Sequence, residues 1–265
     1  MTATAAPGIH TDRPSRWDRP SPIGQYKVRP LEALRAFRRI VANKEDTAQV
    51  FELIRALTGR SIPDGYQRLM QNSEGGRQAY LREELADKFC DKAWLAQFPE
   101  GTVGAAYRHF IGLRDLSAYG LAEESRKLGE DIDAAHPIAW YARRLRDIHD
   151  VWHVLTGYNT DTLGEACVVA FTHAQTRNQA LGFLAAGAAY ELEKAYDGPP
   201  YARAIWEGWR NGHKVEWLPA QDYERLFAEP LEAARARLKI PRPTIYDSVP
   251  VEARNAYKFD RMMAH

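Results

Sequence analysis

Apolar residues recur every three or four positions along most of this chain, which is the period of an amphipathic helix. The first such stretch, PLEALRAFRRIV, places Leu31, Leu34, Phe37 and Val41 on one face, which is predicted to be buried. The next stretch, DTAQVFELIRALTG, repeats the period and offers Asp46 as an N-cap. These two segments predict the first two helices of the protein.

The same period, punctuated by glycine and proline, predicts helices through most of the remaining chain. Pro137 suits the first turn of one of them, and Gly157 is placed to cap its end in a left-handed conformation. No stretch alternates with the period of a strand over a useful length, so the predicted fold class is all-α. The further predicted helices cover residues 77–98, a segment beginning near 102, 138–156, 162 to beyond 175, 180–196, 201–211 and 231–238.

The helical pattern is confined to the middle of the chain, and we expect a single compact multi-helix domain at residues 28–240. The leader at residues 1–27 is rich in proline and lacks the apolar core of a secretory signal, so we expect it to be flexible. The tail at residues 241–265 contains several prolines and is predicted to be extended.

Composition narrows the class of protein. The chain has 265 residues, 45% of them hydrophobic, and its 36 basic and 35 acidic residues leave a net charge of +1. This balance supplies no global field for nucleic acid, which we therefore do not expect as a partner. No run approaches the ~20 apolar residues that span a bilayer. The two cysteines, Cys90 and Cys167, are too few and too far apart for a disulfide framework or a cysteine-rich zinc site.

The stretch RDIHDVWHVLTGYNTDTLGEA combines two histidines and two carboxylates around a predicted turn. On a helix, His149, Asp150 and His153 share one face, because residues three and four apart are neighbours. The chain turns after Gly157, so Glu165 can point at the same spot from the next helix. Two imidazoles and two carboxylates suit a divalent metal, with zinc favoured and iron or manganese as alternatives.

Each of these residues also has an ordinary structural explanation. Asp150 can pair with Arg146 one turn earlier, and Glu165 can complete a capping box with Thr162. Among metal enzymes, the spacing is also similar to that of His-Glu-x-x-His zinc proteases and of His-Asp phosphohydrolases. The first alternative has a longer carboxylate in place of Asp150, and the second needs a further histidine and aspartate that are not obvious here.

The segment RRLRDIHDVWHVLTGYNTDTLGEA closely resembles the signature of the Coq-four family of coenzyme Q (ubiquinone) biosynthesis proteins. That signature is His-Asp-x-x-His, eleven residues, and then a glutamate after a glycine; His149, Asp150, His153 and Glu165 match it at every position. The segments DTAQVFELIRALTG, PEGTVGAAYRHF and PLEAARARLKI are also similar to that family, so the resemblance covers roughly residues 29 to 240.

The resemblance implies an all-helical, metal-carrying protein that acts on a polyprenylated 4-hydroxybenzoate. The implied activity is that of a lyase that removes the ring C1 carboxylate, with or without hydroxylation. It would use His149, Asp150, His153 and Glu165 as metal ligands and catalytic residues. The alternative in a different class is a non-catalytic scaffold that binds a prenyl lipid and organises the pathway enzymes. A metal-dependent hydrolase ranks below both.

The resemblance also implies partners and a location. The expected partners are a polyprenylated benzoate or quinone precursor, other ubiquinone biosynthesis proteins, a membrane surface contacted peripherally, and a second copy in a homodimer. The expected location is the cytoplasmic face of the inner membrane in a bacterium, or the matrix side of the mitochondrial inner membrane in a eukaryote. The short leader, which contains aspartates, favours the bacterial location.

Overall fold

The computed structural model describes residues 27–42, 47–112, 136–195 and 198–255. Within these ranges the chain is helical, and its only β-type pairing is an isolated bridge between Thr102 and Pro230. The all-α prediction is therefore confirmed. The predicted N-cap Asp46, and nearly all of the predicted leader, lie outside the described residues.

The helices of the described ranges are joined by short connections. In chain order they are α1 (Pro30–Ala42), α2 (Thr47–Leu57), α3 (Ser61–Met70), α4 (Ser73–Leu81), α5 (Leu85–Cys90), α6 (Lys92–Ala96), α7 (Val103–Gly112), α8 (Pro137–Asp147), α9 (His149–Thr156), α10 (Thr162–Thr176), α11 (Gln179–Ala195), α12 (Tyr201–Lys214), a 3₁₀ turn (Leu218–Ala220), α13 (Tyr223–Ala228), α14 (Leu231–Arg237), α15 (Thr244–Ser248) and α16 (Val251–Arg254).

The helix predicted over residues 77–98 is instead divided into α4, α5 and α6. Arg82 ends α4 in the left-handed conformation, with φ of 50°. Asp91 has an extended backbone, and its carboxylate accepts hydrogen bonds from the N–H groups of Ala93 and Trp94, which starts α6. Side-chain capping of this kind competes with helix continuation, and the apolar period alone does not reveal it.

The helix predicted over residues 138–156 consists of α8 and α9, separated by one non-helical residue, Ile148. Pro137 is the first residue of α8, and Gly157 caps α9 with φ of 79°, as predicted. The break is slight, because Trp152 still donates a hydrogen bond to the carbonyl oxygen of Ile148. It places His149 in the first turn of α9.

Two large hydrophobic clusters form most of the core, and the α9–α10 hairpin joins them. α10 contributes most of its buried residues to the first cluster, and α9 contributes to the second. Members of the first cluster include Leu53, Leu163, Val169, Leu184, Ile205 and Tyr246. Members of the second include Phe89, Tyr107, Val151, Trp152, Leu155 and Phe227.

The buried face of α1 differs from the prediction. Ala33 and Ala36 are buried, whereas Leu31 is 70% exposed and Leu34 is 45% exposed. Phe37 is partly buried, and its ring contacts that of Phe183 on α11 at 5.0 Å between centroids. The small alanines allow α1 and α2 to approach closely, and this packing leaves the two leucines on the outside.

The tail predicted as extended from Pro241 onward instead contains the short helices α15 and α16. Tyr246 and Val249 are buried in the first core cluster. The buried Glu207 carboxylate of α12 accepts hydrogen bonds from the Thr244 hydroxyl and from the N–H groups of Ile245 and Tyr246. These long-range contacts hold the segment, and its prolines limit only the length of each helix.

Candidate metal centre

Helix α9 presents two imidazoles from one face. His149 and His153 are one turn apart, and their Nε2 atoms lie 3.3 Å from each other. The His149 side chain is 28% exposed, whereas that of His153 is fully buried. One histidine therefore faces the opening of the site, and the other forms its base.

Helix α10 supplies the carboxylate from its first turn. The Asp161 side chain caps this helix by accepting a hydrogen bond from the Gly164 N–H at 2.8 Å, and the Asp161 carbonyl oxygen accepts one from the Glu165 N–H. A Cβ atom at Gly164 would lie 1.9 Å from the Asn159 carbonyl oxygen. Glycine at position 164 is thus what allows the loop to pass this close to the helix.

Glu165 completes a group of three candidate ligands. Its Oε1 lies 3.4 Å from His153 Nε2, and its Oε2 lies 3.7 Å from His149 Nε2. Tetrahedral zinc with bonds of about 2.0–2.2 Å to nitrogen and oxygen separates neighbouring ligand atoms by about 3.3–3.6 Å. The donor types and their separations therefore fit a divalent ion of this kind, and three protein ligands leave a fourth position open.

A main-chain contact fixes the ring of His153. Its Nδ1 lies 3.1 Å from the Tyr158 carbonyl oxygen, which can only accept, so Nδ1 carries the proton. In the neutral ring, Nε2 then keeps a lone pair directed at His149 and Glu165. The Phe110 ring stacks on the imidazole at 5.5 Å between centroids. This combination of an acceptor behind a histidine and an apolar wall beside it is typical of metal-ligating imidazoles.

The electrostatics of the group favour a positive charge at its centre. Burial disfavours ionisation of Glu165, yet the opposing charge of His153 and hydrogen bonds from both histidines outweigh it and hold the carboxyl pKa well below its usual value. Burial likewise opposes protonation of His153, but the Glu165 carboxylate raises its pKa. The Glu165 carboxylate therefore favours a positive charge on the imidazoles that face it, and a divalent ion at the same position would be favoured for the same reason.

Asp150 does not join this group. The three residues whose candidate ligand atoms lie within 4.8 Å of one another are His149, His153 and Glu165. Asp150 is partly exposed on α9, and its negative charge is near enough to help raise the pKa of His153. Its role as a ligand stays a prediction.

The structure does not follow the two ordinary explanations for these carboxylates. The Arg146 guanidinium pairs with Asp147 at 2.8 Å, and not with Asp150. The cap of α10 is Asp161, so Glu165 is not needed for a capping box with Thr162. The Glu165 side chain is directed at the two histidines instead.

Several residues that support the site were not predicted from the sequence. Asp161 had a local signal, because an aspartate directly before a helical pattern is a standard N-cap. Phe110 and Tyr246 had none, since they reach the site only through tertiary packing. The Tyr246 hydroxyl donates to the Asp161 carboxylate and accepts from the Asn159 N–H.

Curated relatives share part of the chain at modest identity. A Bos taurus protein named ubiquinone biosynthesis protein COQ4 homolog, mitochondrial, is 27% identical over 177 residues, which is 67% of this chain and 64% of the relative. A Nematostella vectensis protein of the same name is 28% identical over 182 residues, or 65% of this chain and 82% of the relative. The chain thus matches a little under two thirds of the length of the cattle protein.

A solved structure and a family model cover more of the chain. The crystal structure of a Nostoc punctiforme protein, provisionally described as a ubiquinone biosynthesis protein, superposes with a TM-score of 0.57. It covers 81% of this chain and 99% of its own at 22% identity, which shows a shared fold. The family model described as coenzyme Q (ubiquinone) biosynthesis protein Coq4 matches residues 30–244. Because that match includes most of the chain, the protein belongs to the Coq4 family of coenzyme Q biosynthesis proteins.

Proposed function

We propose that this protein binds a divalent metal ion through His149, His153 and Glu165, with zinc favoured and iron or manganese as alternatives. The convergence of these three side chains at ligand spacing is the observation that carries the proposal. The family signature contains the same residues. A site with three protein ligands and an open position is typical of catalytic zinc, whereas structural zinc sites are closed by four.

The proposed reaction is loss of the C1 carboxylate from a polyprenylated 4-hydroxybenzoate. The bond between C1 and the carboxyl carbon breaks, carbon dioxide leaves, and a proton takes up the electron pair that stays on the ring. A divalent ion in such a site supplies Lewis-acid stabilisation of the negative charge that develops. A version that leaves a hydroxyl at C1 also requires an oxidant such as dioxygen and a redox-active metal.

The residues of the chain have distinct parts in this proposal. The Tyr158 carbonyl holds the His153 ring in the tautomer with a free Nε2, and burial keeps that ring in place. The more exposed His149 faces the side from which a substrate can approach. Asp150, on the same helix, is proposed to interact with the ion or with the incoming ring.

Two variants test the metal site and the reaction together. Glu165→Gln keeps the side-chain volume but removes the charged ligand, and His153→Ala removes the buried ligand. We expect both to lose stoichiometric metal, measured by elemental analysis, and to lose product formation from a prenylated 4-hydroxybenzoate. His109→Ala, a change at an exposed histidine on α7, is the matched control and should retain both.

The outcomes separate the enzyme from the scaffold. Full metal content and product in the His153→Ala protein would overturn the proposal. A wild-type protein that holds the lipid stoichiometrically, without product when tested alone, would favour the scaffold that organises other pathway proteins. The carbon dioxide released in a single turnover, measured against bound lipid, distinguishes these results.

We propose that the protein also rests on a membrane surface, and that the outer face of α1 and the adjoining face of α11 make the contact. No helix among the described residues is long and apolar enough to cross a bilayer. Leu31 and Leu34 are exposed on α1. Phe183 of α11 is 40% exposed, and its ring contacts that of Phe37 on α1. Leu31 and Leu34 lie one turn apart, and grouped apolar side chains mark an interaction site more often than scattered ones do.

The charges around this face favour anionic lipid over a second copy of the chain. Arg35, Arg38 and Arg39 are exposed on the same helix. Arginines beside leucines suit a lipid interface, since their stems lie along the apolar layer while the guanidinium groups reach phosphate. A symmetric dimer through this face would instead bring arginines of both copies together. Which leaflet is contacted follows from the cell of origin: the cytoplasmic side in a bacterium, the matrix side in a mitochondrion.

A further inference from the structure

The tail helix α15 is hydrogen-bonded to the loop between the two helices that carry the metal ligands. The buried Tyr246 donates its hydroxyl hydrogen to Asp161 Oδ2 at 2.5 Å, and the Tyr246 hydroxyl oxygen accepts a hydrogen bond from the Asn159 N–H at 3.1 Å. Tyr246 is far away in sequence and lies beyond the residues 30–244 that the family model matches. The family signature therefore assigns it no role.

Asp161, which accepts this hydrogen bond, also contacts the main chain of the candidate ligand Glu165. The other oxygen of Asp161, Oδ1, accepts the Gly164 N–H at 2.8 Å, and its carbonyl oxygen accepts the Glu165 N–H at 2.9 Å. Tyr246 thus holds the residue that fixes the first turn of α10. The position of the Glu165 main chain depends on Asp161, and the position of Asp161 depends on the phenol.

Tyr246 is also connected to the buried His153, through Tyr158. The Tyr246 ring packs edge to face against Tyr158 at 5.3 Å between centroids. The carbonyl oxygen of Tyr158 accepts the hydrogen bond from His153 Nδ1. One side chain therefore supports both the loop that orients His153 and the helix turn that presents Glu165.

Tyr246 is itself held from outside the site. Its N–H and that of Ile245 donate to the buried Glu207 carboxylate on α12, and the Arg254 guanidinium lies 4.2 Å from the ring centroid. Burial, followed by the hydrogen bond to the Asp161 carboxylate, raises the pKa of the phenol. The hydroxyl consequently stays a donor throughout the physiological range.

We propose that Tyr246 is a positioning residue for the metal centre, through its hydrogen bond to Asp161 and its packing on Tyr158. It touches neither the ion nor the substrate. This inference rests on the proposed metal function of His149, His153 and Glu165. Removal of a residue that orients the metal ligands commonly weakens metal affinity by about 10- to 100-fold.

The test compares two buried tyrosines that each lose only a hydroxyl. Tyr246→Phe removes the bond to Asp161 and keeps the ring. Tyr201→Phe removes a hydroxyl in the same core cluster that donates to the Ala253 carbonyl oxygen of the tail, and not to Asp161. Both variants are made in the full chain, and the free energy of unfolding of each metal-free protein is measured.

Co²⁺ binding, followed by its visible absorption spectrum and by competition with a chromophoric chelator, gives the affinity. We expect the dissociation constant of Tyr246→Phe to rise by about 10- to 100-fold, with an altered spectrum, and that of Tyr201→Phe to stay near wild type. Asp161→Asn, which keeps the capping oxygen but weakens the bond to the phenol, should change in the same direction as Tyr246→Phe.

Wild-type affinity in Tyr246→Phe would overturn the positioning role while leaving the metal site intact. Equal losses in Tyr246→Phe and Tyr201→Phe would also overturn it, because a general loss of stability would then suffice. A wild-type protein that binds no Co²⁺ or Zn²⁺ would instead refute the metal centre itself, and the positioning role with it. The wild-type measurement therefore distinguishes the two failures.

Discussion

Two individual positions determine whether the ligands of this protein meet. His153 has a free Nε2 because the Tyr158 carbonyl holds the proton on Nδ1. Glu165 reaches it because Gly164 leaves room for the Asn159 carbonyl. Together they favour the separations of 3.4 and 3.7 Å between the Glu165 oxygens and the histidine Nε2 atoms.

Substitution of Gly164 tests this closeness. Because a Cβ atom would lie 1.9 Å from the Asn159 carbonyl oxygen, Gly164→Ala must displace the loop. We expect the free energy of unfolding to fall by about 2–3 kcal/mol, as for other overpacked sites, together with a weaker affinity for Zn²⁺. Urea denaturation and metal titration measure the two effects.

The control for that change is Gly187→Ala on α11, where a Cβ atom would meet nothing within 4 Å. Alanine in an open helical position should raise the free energy of unfolding by about 0.5–1 kcal/mol. If the two alanine variants were equally stable and bound zinc equally well, the close approach at Gly164 would not matter.

At the scale of elements, the period of apolar residues located helices better than it identified their buried faces. α1 forms as predicted, but Ala33 and Ala36 are buried in place of Leu31 and Leu34. A helix buries the face that lets it approach its neighbour, and small residues allow the closest approach. The larger apolar side chains are then left for a different contact, which we propose to be a membrane surface.

Vesicle binding tests that contact. We expect the double variant Leu31→Ser with Leu34→Ser to partition onto vesicles of phosphatidylcholine and phosphatidylglycerol at least tenfold less. Each leucine that is partly buried in the lipid layer contributes about 1 kcal/mol or more to binding. The partition coefficient should also fall about fivefold for each arginine neutralised in Arg35→Gln and Arg38→Gln, and only where the anionic lipid is present. Sedimentation with the vesicles gives both values.

The matched control replaces two exposed apolar residues elsewhere, Met70→Ser on α3 and Leu81→Ser on α4, which are 50% and 46% exposed. These changes remove a similar apolar area without touching α1 or α11. The same loss of binding in both pairs would indicate nonspecific attachment and refute the proposed face.

The whole molecule places the three candidate metal ligands where the two large core clusters meet. Histidines come from a helix packed in one cluster, and the glutamate comes from a helix packed mainly in the other. The tail then crosses back to the same region through Tyr246, and the buried Glu207 receives three hydrogen bonds from it. Residues distant in sequence thus depend on one another for the geometry of the centre.

Truncation of the tail tests how much the stability and the metal affinity depend on its contacts. A chain that ends at Ile240, the predicted domain end, loses Tyr246 and leaves the Glu207 carboxylate buried without its three donors. We expect the free energy of unfolding to fall by at least about 3 kcal/mol, the usual cost of deleting a buried aromatic side chain. Zinc affinity should fall with it.

A chain that ends at Asn255 keeps α15, α16 and the contacts described for them, and it is the reference for that comparison. Chemical denaturation of both chains gives the difference directly. Equal stability of the two would mean that the segment after Ile240 is only loosely attached, as its prolines suggested.

Local signals predicted part of the site and much of the fold. Pro137, Gly157 and the four-residue spacing of His149 and His153 are features that neighbouring residues decide, and each is found where it was predicted. The division of residues 77–98 into three helices was missed, because Asp91 and Arg82 act through caps and a left-handed residue that interrupt a continuous apolar period. The split of α8 from α9 was missed for a similar reason.

The sequence by itself determined that the chain is helical, that two histidines share a face, and which family signature they belong to. These properties depend on backbone periodicity and on residue spacing, which are local. Only the tertiary structure decided that Glu165 meets both imidazoles while Asp150 does not join their group. It also decided that alanines rather than leucines face the core in α1, and that Tyr246 is hydrogen-bonded to Asp161 in the loop before α10. Those outcomes depend on which surfaces pack together, and packing is a property of the whole chain.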